Sequence, residues 1–290
     1  NAASQSGFES VDLSAFTNFG GVITGSDVAN TITGTPGTDR ITAGKGNDTI
    51  RINTGTVANS DQMNGGTGTD TLVIAAGLTA TIDGDSDIVA VENISFEGAG
   101  VAIMTGQTEG FSVTASVATD VDNDFTGGSG NDTFTSTNAS DTDELIHTGV
   151  STTGGVDTYV GFTVGAGLDI INFPSTVSTS TAYLEVTSAP TLDSSATGVL
   201  ILDFNVATAA ADMTAAQLYT AASGGGDTAG NNTENVVIAV TTQATTAADV
   251  FVFVAVMNAA SDGFASIDHV VTLTGITDVT AFDTGNWDVS

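Results

Sequence analysis

The apolar positions of this chain do not recur at helical spacing over most of its length. They come singly, in short Asp-x-apolar-x units such as Asp39–Thr42 and Asp48–Arg51, or in brief β-branched runs such as Val199–Phe204 and Val236–Val240. Both patterns predict short strands, the first half-buried with one side chain inward, the second buried on both faces. The longest apolar run, Val250–Met257, is also of strand length, and no stretch reaches the 18 or so apolar residues that a membrane helix needs. One segment reads as helix: Ala207–Ala222 is Ala-rich, has Thr208 or Asp212 as a candidate N-cap, and runs into Ser223-Gly224-Gly225-Gly226. The expected fold class is therefore all-β with one short Ala-rich helix in the C-terminal part.

The Asp-x-apolar units belong to a repeat. Residues 25–51 divide without a gap into three nonapeptides, Gly25–Thr33, Gly34–Thr42 and Ala43–Arg51. Their sixth positions are Asn30, Asp39 and Asp48, and their eighth are Ile32, Ile41 and Ile50. Further copies, Gly65–Val73 and Gly127–Thr135, place Asp70 with Leu72 and Asp132 with Phe134 in the same slots. A longer repeat contains these, because residues 26–42 align with 119–135 at an offset of 93. Asp27, Asn30, Gly34, Gly37 and Asp39 thereby match Asp120, Asn123, Gly127, Gly130 and Asp132. The expected organisation is 1–24 as the end of a preceding β module, 25–117 and 118–173 as two modules, and 174–290 as a degenerate β-rich region. The chain opens on a strand-like segment, Phe8–Leu13, and reads as a piece of a longer protein.

Each nonapeptide has two physical halves. Its glycines permit positive φ and close backbone approach, and its x-apolar-x half is a minimal strand with one inward side chain. A turn plus such a strand makes half a coil, so two nonapeptides close one turn of a parallel β-solenoid, with repeats n and n+2 stacked. This register predicts that Asp48 faces Asn30 and that Asp39 faces Asp70, with Ile52–Asn64 bulging out as an insert.

Charge changes the picture most. The chain has 34 acidic residues against 3 basic ones, a formal net charge of −31. No basic face can be assembled to bind nucleic acid, and anionic membranes repel such a chain. Stacked sixth-position carboxylates cost about 1 kcal/mol per pair in water at ~4 Å, and about 4 at an effective dielectric of 20. A hard divalent cation reverses that sign. Calcium accepts six to eight oxygens, carbonyls included, in tolerant geometry, whereas magnesium demands a tight octahedron. There is no Cys, which excludes disulfides, thiolate zinc sites and a Cys nucleophile, and Asn1–Gly7 lacks a signal-peptide pattern. His147 and His269 stand apart with no H-E-x-x-H, no G-x-S-x-G elbow exists, and Glu185 and Glu234 are isolated, so no catalysis is expected. Asp249 and Asp268 are expected to be structural. The three cations, Arg40, Lys45 and Arg51, either pair locally with Asp or dock on an acidic neighbour.

Gly65–Leu72 and Gly127–Phe134 match in full the calcium nonapeptide G-G-x-G-x-D-x-apolar-x, and the chain here resembles the repeats-in-toxin (RTX) family over roughly residues 25–173. Ala43–Arg51 departs at its first glycine, Gly34–Thr42 lacks the second, and Gly25–Thr33 has Val28 and Asn30 where the motif has Gly and Asp. The resemblance implies a parallel β-roll holding several calcium ions. Its candidate ligands and turn residues are Asp27, Asn30, Gly34, Gly37, Asp39, Gly44, Gly46, Asp48, Gly66, Gly68, Asp70, Asp120, Asn123, Gly128, Gly130, Asp132 and Asp157. Asp39, Asp48, Asp70 and Asp132 also suit metal-free Asx-turns, and Asp27, Asp120 and Asp157 fit either role. Within the family the modules are most similar to calcium-dependent surface-layer proteins and other large secreted surface proteins of Gram-negative bacteria. That likeness, and an ending similar to their uncleaved export signal, imply type I secretion, calcium-driven folding outside the cell and self-assembly at the cell surface. A second copy of the chain is then the expected partner, with cell-surface polysaccharide a further one. The competing expectations are a segment of a large adhesin and the calcium-folding secretion tail of an enzyme.

Overall fold

The computed structural model describes residues 3–16, 19–52, 61–82, 84–147, 155–165, 168–173, 177–178, 181–186, 199–204, 235–241, 248–257, 264–276, 282 and 286–289. The expected helix at 207–222 lies outside the described residues, which contain strands and turns and no α-helix. The chain divides into two compact units, Asn1–Asp143 and Glu144–Ser290.

The first unit is a parallel β-solenoid. One face is built from β1 (Ala3–Phe8), β3 (Gly21–Gly25), β5 (Arg40–Lys45), β7 (Gln62–Thr67) and β10 (Ile88–Val89). A second comprises β2 (Ser10–Asp12), β4 (Thr31–Thr33), β6 (Thr49–Ile52), β8 (Thr71–Ile74), β11 (Asn93–Phe96), β13 (Ser112–Thr114) and β15 (Thr133–Thr135). The third holds β9 (Leu78–Thr81), β12 (Gly100–Ile103) and β14 (Asn123–Thr126). The eighth-position residues of the repeat make the core. Ile32, Ile50, Leu72, Ile94, Val113 and Phe134 are register partners in turn down the second face, and every one is fully buried. Ile23, Ile41, Met63 and Ile88 do the same on the first face. Each such side chain contributes about 1.5–3 kcal/mol by burial, so a thin core with few aromatics is sufficient once it is stacked.

The half-coil reading holds where the nonapeptides are tandem: β4 lies on β6 with Thr31 opposite Thr49, and β3 on β5 with Ile23 opposite Ile41. Beyond them the coil lengthens from 18 to 22 residues, as the bonds Asn30 to Asp48 and Asp48 to Asp70 record. The expected pairing of Asp39 with Asp70 is therefore incorrect. β5 pairs β7 with Arg40 opposite Gln62, which puts Asp61 beside Asp39, while β6 pairs β8 and puts Asp70 beside Asp48. Met63, following Asp61 in an Asp-x-apolar unit, takes the inward slot under Ile41 and so claims the position that the nonapeptide count assigned to the next repeat. The 93-residue duplication also changes face. β4 is on the second face and its sequence equivalent β14 on the third, while β5 is on the first and its equivalent β15 on the second.

The second unit carries β16 (Glu144–Ile146), β18 (Ile170–Phe173) and β25 (Trp287–Val289) in one parallel group. Its larger sheet joins β17 (Asp157–Val160) to β24 (Phe264–Ile276), β23 (Ala248–Met257), β22 (Asn235–Thr241), β21 (Val199–Phe204) and β20 (Thr181–Val186). β22, β23 and β24 run antiparallel, which departs from solenoid geometry. Here aromatics fill the core: Tyr159 meets Phe162 edge-on at 4.9 Å, and Phe282 stacks on Trp287 at 5.2 Å.

Candidate metal centre

At Asp48, Asp70 and Asp132 the sixth position of the repeat sits at the corner where the chain enters the second face, and the carboxylate reaches to the neighbouring coil. Asp48 Oδ1 accepts the backbone N–H of Asn30 at 2.6 Å, and Asp70 Oδ1 that of Asp48 at 2.7 Å. Glu92 Oε2 accepts that of Asp70 at 2.7 Å, and Asp132 Oδ1 that of Phe111 at 2.8 Å. These are charge-assisted bonds to a backbone donor. One oxygen of each carboxylate thus ties coil to coil.

The other oxygen is the notable one. Oδ2 of Asp48 and of Asp70 is buried and accepts no hydrogen bond among the described residues. Burial pushes both carboxyls above the usual range; for Asp70 the neighbouring Asp48 and Glu92 charges add to it. The turns against them are as tight as backbone allows. Gly66 and Gly68 have φ of 103° and 145°, and a Cβ on either would strike the carbonyl oxygen of Gly44 or Gly46 in the coil beside it. Gly44 and Gly46 share the positive φ. Gly128 and Gly130 are packed as closely against the carbonyls of Gln107 and Glu109, without positive φ. The corner therefore offers carboxylate and carbonyl oxygens and no nitrogen or sulfur ligand, a donor set that suits a hard cation such as calcium. No group of three or more His, Asp or Glu side chains is gathered tightly enough among the described residues to hold a metal alone, so turn carbonyls or water would have to complete its shell.

The corner leading into the first face is built differently. Asp39 Oδ1 accepts Gly21 N–H at 2.6 Å and the Thr35 hydroxyl at 2.7 Å, and its Oδ2 accepts Thr35 N–H at 2.7 Å. Both oxygens are satisfied by protein donors. Gly34 packs on Asp39 Oδ2, and Gly37 lies against the backbone of Phe19 and Gly20. Asp61 Oδ1 accepts Asp39 N–H at 2.7 Å, and burial, then the Asp39 and Asp87 charges, raise its pKa.

Other candidates fall in varied places. Asp27 is exposed and pairs with Lys45 at 2.6 Å. Arg51 grips Glu97 through two nitrogens, at 2.8 and 2.5 Å, and Arg40 donates to Gln62 at 2.7 Å. Asn30 turns its side chain onto Ser26. Asn123 accepts from Ser116 N–H and donates to the Gly98 carbonyl, while its own N–H is capped by Asp143 at 2.9 Å. Asp120 is exposed and donates its N–H to Asp141 at 2.7 Å. Asp157 is buried against His147, Oδ2 to Nδ1 at 3.1 Å. Four participants were not among the sequence candidates: Asp61, Glu92, Asp141 and Asp143. Three of them open an acid-x-apolar unit, Asp61-Gln62-Met63, Glu92-Asn93-Ile94 and Asp143-Glu144-Leu145, so the bare unit without its glycines would have found them.

Comparison of the chain with protein-family models, with curated proteins and with solved structures returns no match.

Proposed function

We propose that this chain is a secreted, calcium-binding structural protein of the RTX type, whose solenoid orders on the ion and then assembles with copies of itself at the cell surface, as a surface-layer or filament subunit. The observation that carries the reading is the pair of buried carboxylate oxygens, Asp48 Oδ2 and Asp70 Oδ2, left without a donor among the described residues, beside glycine turns in a chain of net charge −31. Burying such groups unpaired costs free energy that a hydrogen bond or an ion must offset. The chain has only three Lys and Arg, and all three are engaged elsewhere.

In this reading Asp48 and Asp70, with carbonyls of the Ala43–Asp48 and Gly65–Asp70 turns, hold calcium, and the ion supplies the positive charge that lets adjacent acidic coils approach. At low calcium the self-repelling chain stays open, which suits export; outside the cell it closes. The protein then works by assembling and not by catalysis. Circular dichroism of the full chain in chelator should show coil, and millimolar calcium should restore β structure. Light scattering and electron microscopy over a calcium titration should then show a lattice or filament that sodium cannot induce. A spectrum unchanged by chelation would remove the calcium reading. A protein that stays monomeric while fully folded would remove the assembly reading and leave the adhesin or secretion-tail alternatives.

A further inference from the structure

Two of the chain's three cations pair locally. Lys45 meets Asp27 at 2.6 Å, and Arg51 grips Glu97 through two nitrogens. Arg40 does not. Its Nη1 donates to Gln62 Oε1 at 2.7 Å, and it has no carboxylate partner among the described residues, in a chain with 34 acidic residues. Strand alternation is the cause. Asp39 and Ile41 are buried on the inner side of the first face, and Arg40 between them is exposed on the outer side. The acids that precede β5, β7 and β10 bond to backbone at the corner instead. Asp39 accepts from Gly21 and Thr35, Asp61 from the Asp39 N–H, and Asp87 from the Gly84 N–H.

Arg40 lines a cleft of about 200 Å³ on the outer side of this face, with Thr42 on the same strand, Gln62 and Asn64 on β7, Ser86, and Val89 on β10. Register sets the layout: Arg40 lies opposite Gln62, Thr42 opposite Asn64, and Asn64 opposite Val89. No Asp or Glu lines the cleft, so its one formal charge is positive. A guanidinium carries five N–H donors in a planar fork, and Gln62 occupies one nitrogen. Because Gln62 Oε1 is the acceptor in that bond, its Nε2 remains a further donor. Such a fork takes a carboxylate in bidentate fashion. The cleft is smaller than ordinary small-molecule pockets, roughly 300–1,000 Å³, and suits a single side-chain carboxylate.

We propose that this cleft is a docking point for a second copy of the chain, which sets an exposed Asp or Glu side chain on Arg40. Charge complementarity selects the occupant. Every copy carries 34 acidic residues and presents exposed carboxylates such as Glu9 and Asp122, whereas Arg40 is the cation that its own chain leaves without one. Two clefts face to face would set Arg40 against Arg40, so the complement lies on a different patch of the partner copy. Contacts between unlike patches run on into filaments or lattices unless they close a ring. The contact presupposes the self-assembly proposed above. It lies outside the glycine turns and uses no bound ion, so it adds to whatever calcium does between copies.

The test uses the full-length chain in millimolar calcium, with circular dichroism for folding and light scattering for the protein concentration at which copies assemble. Arg40→Gln should fold as the wild type does and need on the order of tenfold more protein to assemble, and Arg40→Glu more still. Arg40→Lys, which keeps the charge and loses the fork, should fall between the wild type and Arg40→Gln. Arg51→Gln changes the net charge equally at a cation already paired, and should assemble like the wild type. Gln62→Ala loosens the hold on Arg40 and supplies a second route to the same loss if an Arg40 variant fails to fold. Assembly of Arg40→Gln and Arg40→Glu at the wild-type concentration would overturn the docking point and leave self-assembly standing. A wild type that folds and stays monomeric would overturn both. Retention of polygalacturonate by the wild type and not by Arg40→Gln, with equal assembly of the two, would give the cleft to an acidic polysaccharide and overturn the second copy as its occupant.

Discussion

Asp39 and Asp70 occupy the same slot of the same repeat and live in opposite circumstances. The Asp39 carboxylate receives three protein donors, two of them from Thr35, and neither oxygen is left over. Among the described residues Asp70 receives one, from Asp48 N–H, and its second oxygen is buried with none. The residue that decides is the second of the nonapeptide, Thr35 in one turn and Gly66 in the other. A hydroxyl and an N–H complete the first turn from within. Glycine, with its φ of 103°, lets the second turn press on the coil beside it but brings no donor of its own. Equal motifs therefore need not mean equal surroundings: at one corner both carboxylate oxygens are satisfied by protein donors, and at the other one oxygen is buried without a donor among the described residues.

The largest test of this contrast is calcium removal followed by hydrogen exchange. With chelator, amides of the Ala43–Asp48 and Gly65–Asp70 turns should lose protection by orders of magnitude, while Gly21 and Thr35, bonded to Asp39, should keep more of theirs. Equal loss at both corners would break the comparison. Next in size are the two substitutions. Asp39→Ala strands three donors and should destabilise by about 1–3 kcal/mol with or without calcium. Asp70→Asn, which keeps an acceptor for the Asp48 N–H and removes the charge, should destabilise in calcium and be neutral or stabilising in chelator, read from urea midpoints at constant slope. Smaller is Thr35→Gly, which makes the Asp39 turn resemble the Asp70 turn. It should cost about 1 kcal/mol in chelator, by loss of the hydroxyl bond and added chain freedom, and make the stability of that coil depend on calcium more than in the wild type.

The smallest expected effect is on pH. Asp143 is raised from 3.8 to about 6, chiefly by burial, and Asp48, Asp61, Asp70 and Asp124 are raised for the same first reason. A carboxyl with a higher pKa folded than unfolded takes up its proton more readily in the fold. Its stabilising share is fully present below about 3.8 and is lost as pH rises through about 6. Without calcium, then, melting temperature should fall between pH 4 and pH 7, roughly, and calcium should flatten or invert that slope. A calcium-free protein that gains stability over this range would contradict the burial of these groups.

Much of the fold could be read locally. The eighth-position residues Ile32, Ile50, Leu72 and Phe134 were expected inward and are buried, and Val199–Phe204 and Val236–Val240 were expected as strands and lie in β21 and β22. Asp48 was expected beside Asn30 and is. The failure at Asp39 has a simple origin. Counting nonapeptides assumes that only glycine-bearing repeats take a place in the stack, whereas a coil needs an inward apolar residue and a cap for its neighbour's N–H, and Asp61 with Met63 provides both.

The sequence by itself determined the period: a turn, a three-residue strand and one inward side chain are local properties, set by glycine, β-branching and alternation. It determined also that no Lys or Arg could balance the carboxylates, since the chain holds only three. Which coil lies on which, and hence which carboxylates meet, was decided only by tertiary structure. Parallel register partners are 18 residues apart at Ile23 and Ile41 and 25 apart at Met63 and Ile88, and the slack in a longer coil is taken up wherever the inward ladder closes best. The face occupied by each copy of the 93-residue repeat was decided in the same way, because the sequence specifies half-coils while the stacking below specifies the side on which each must land.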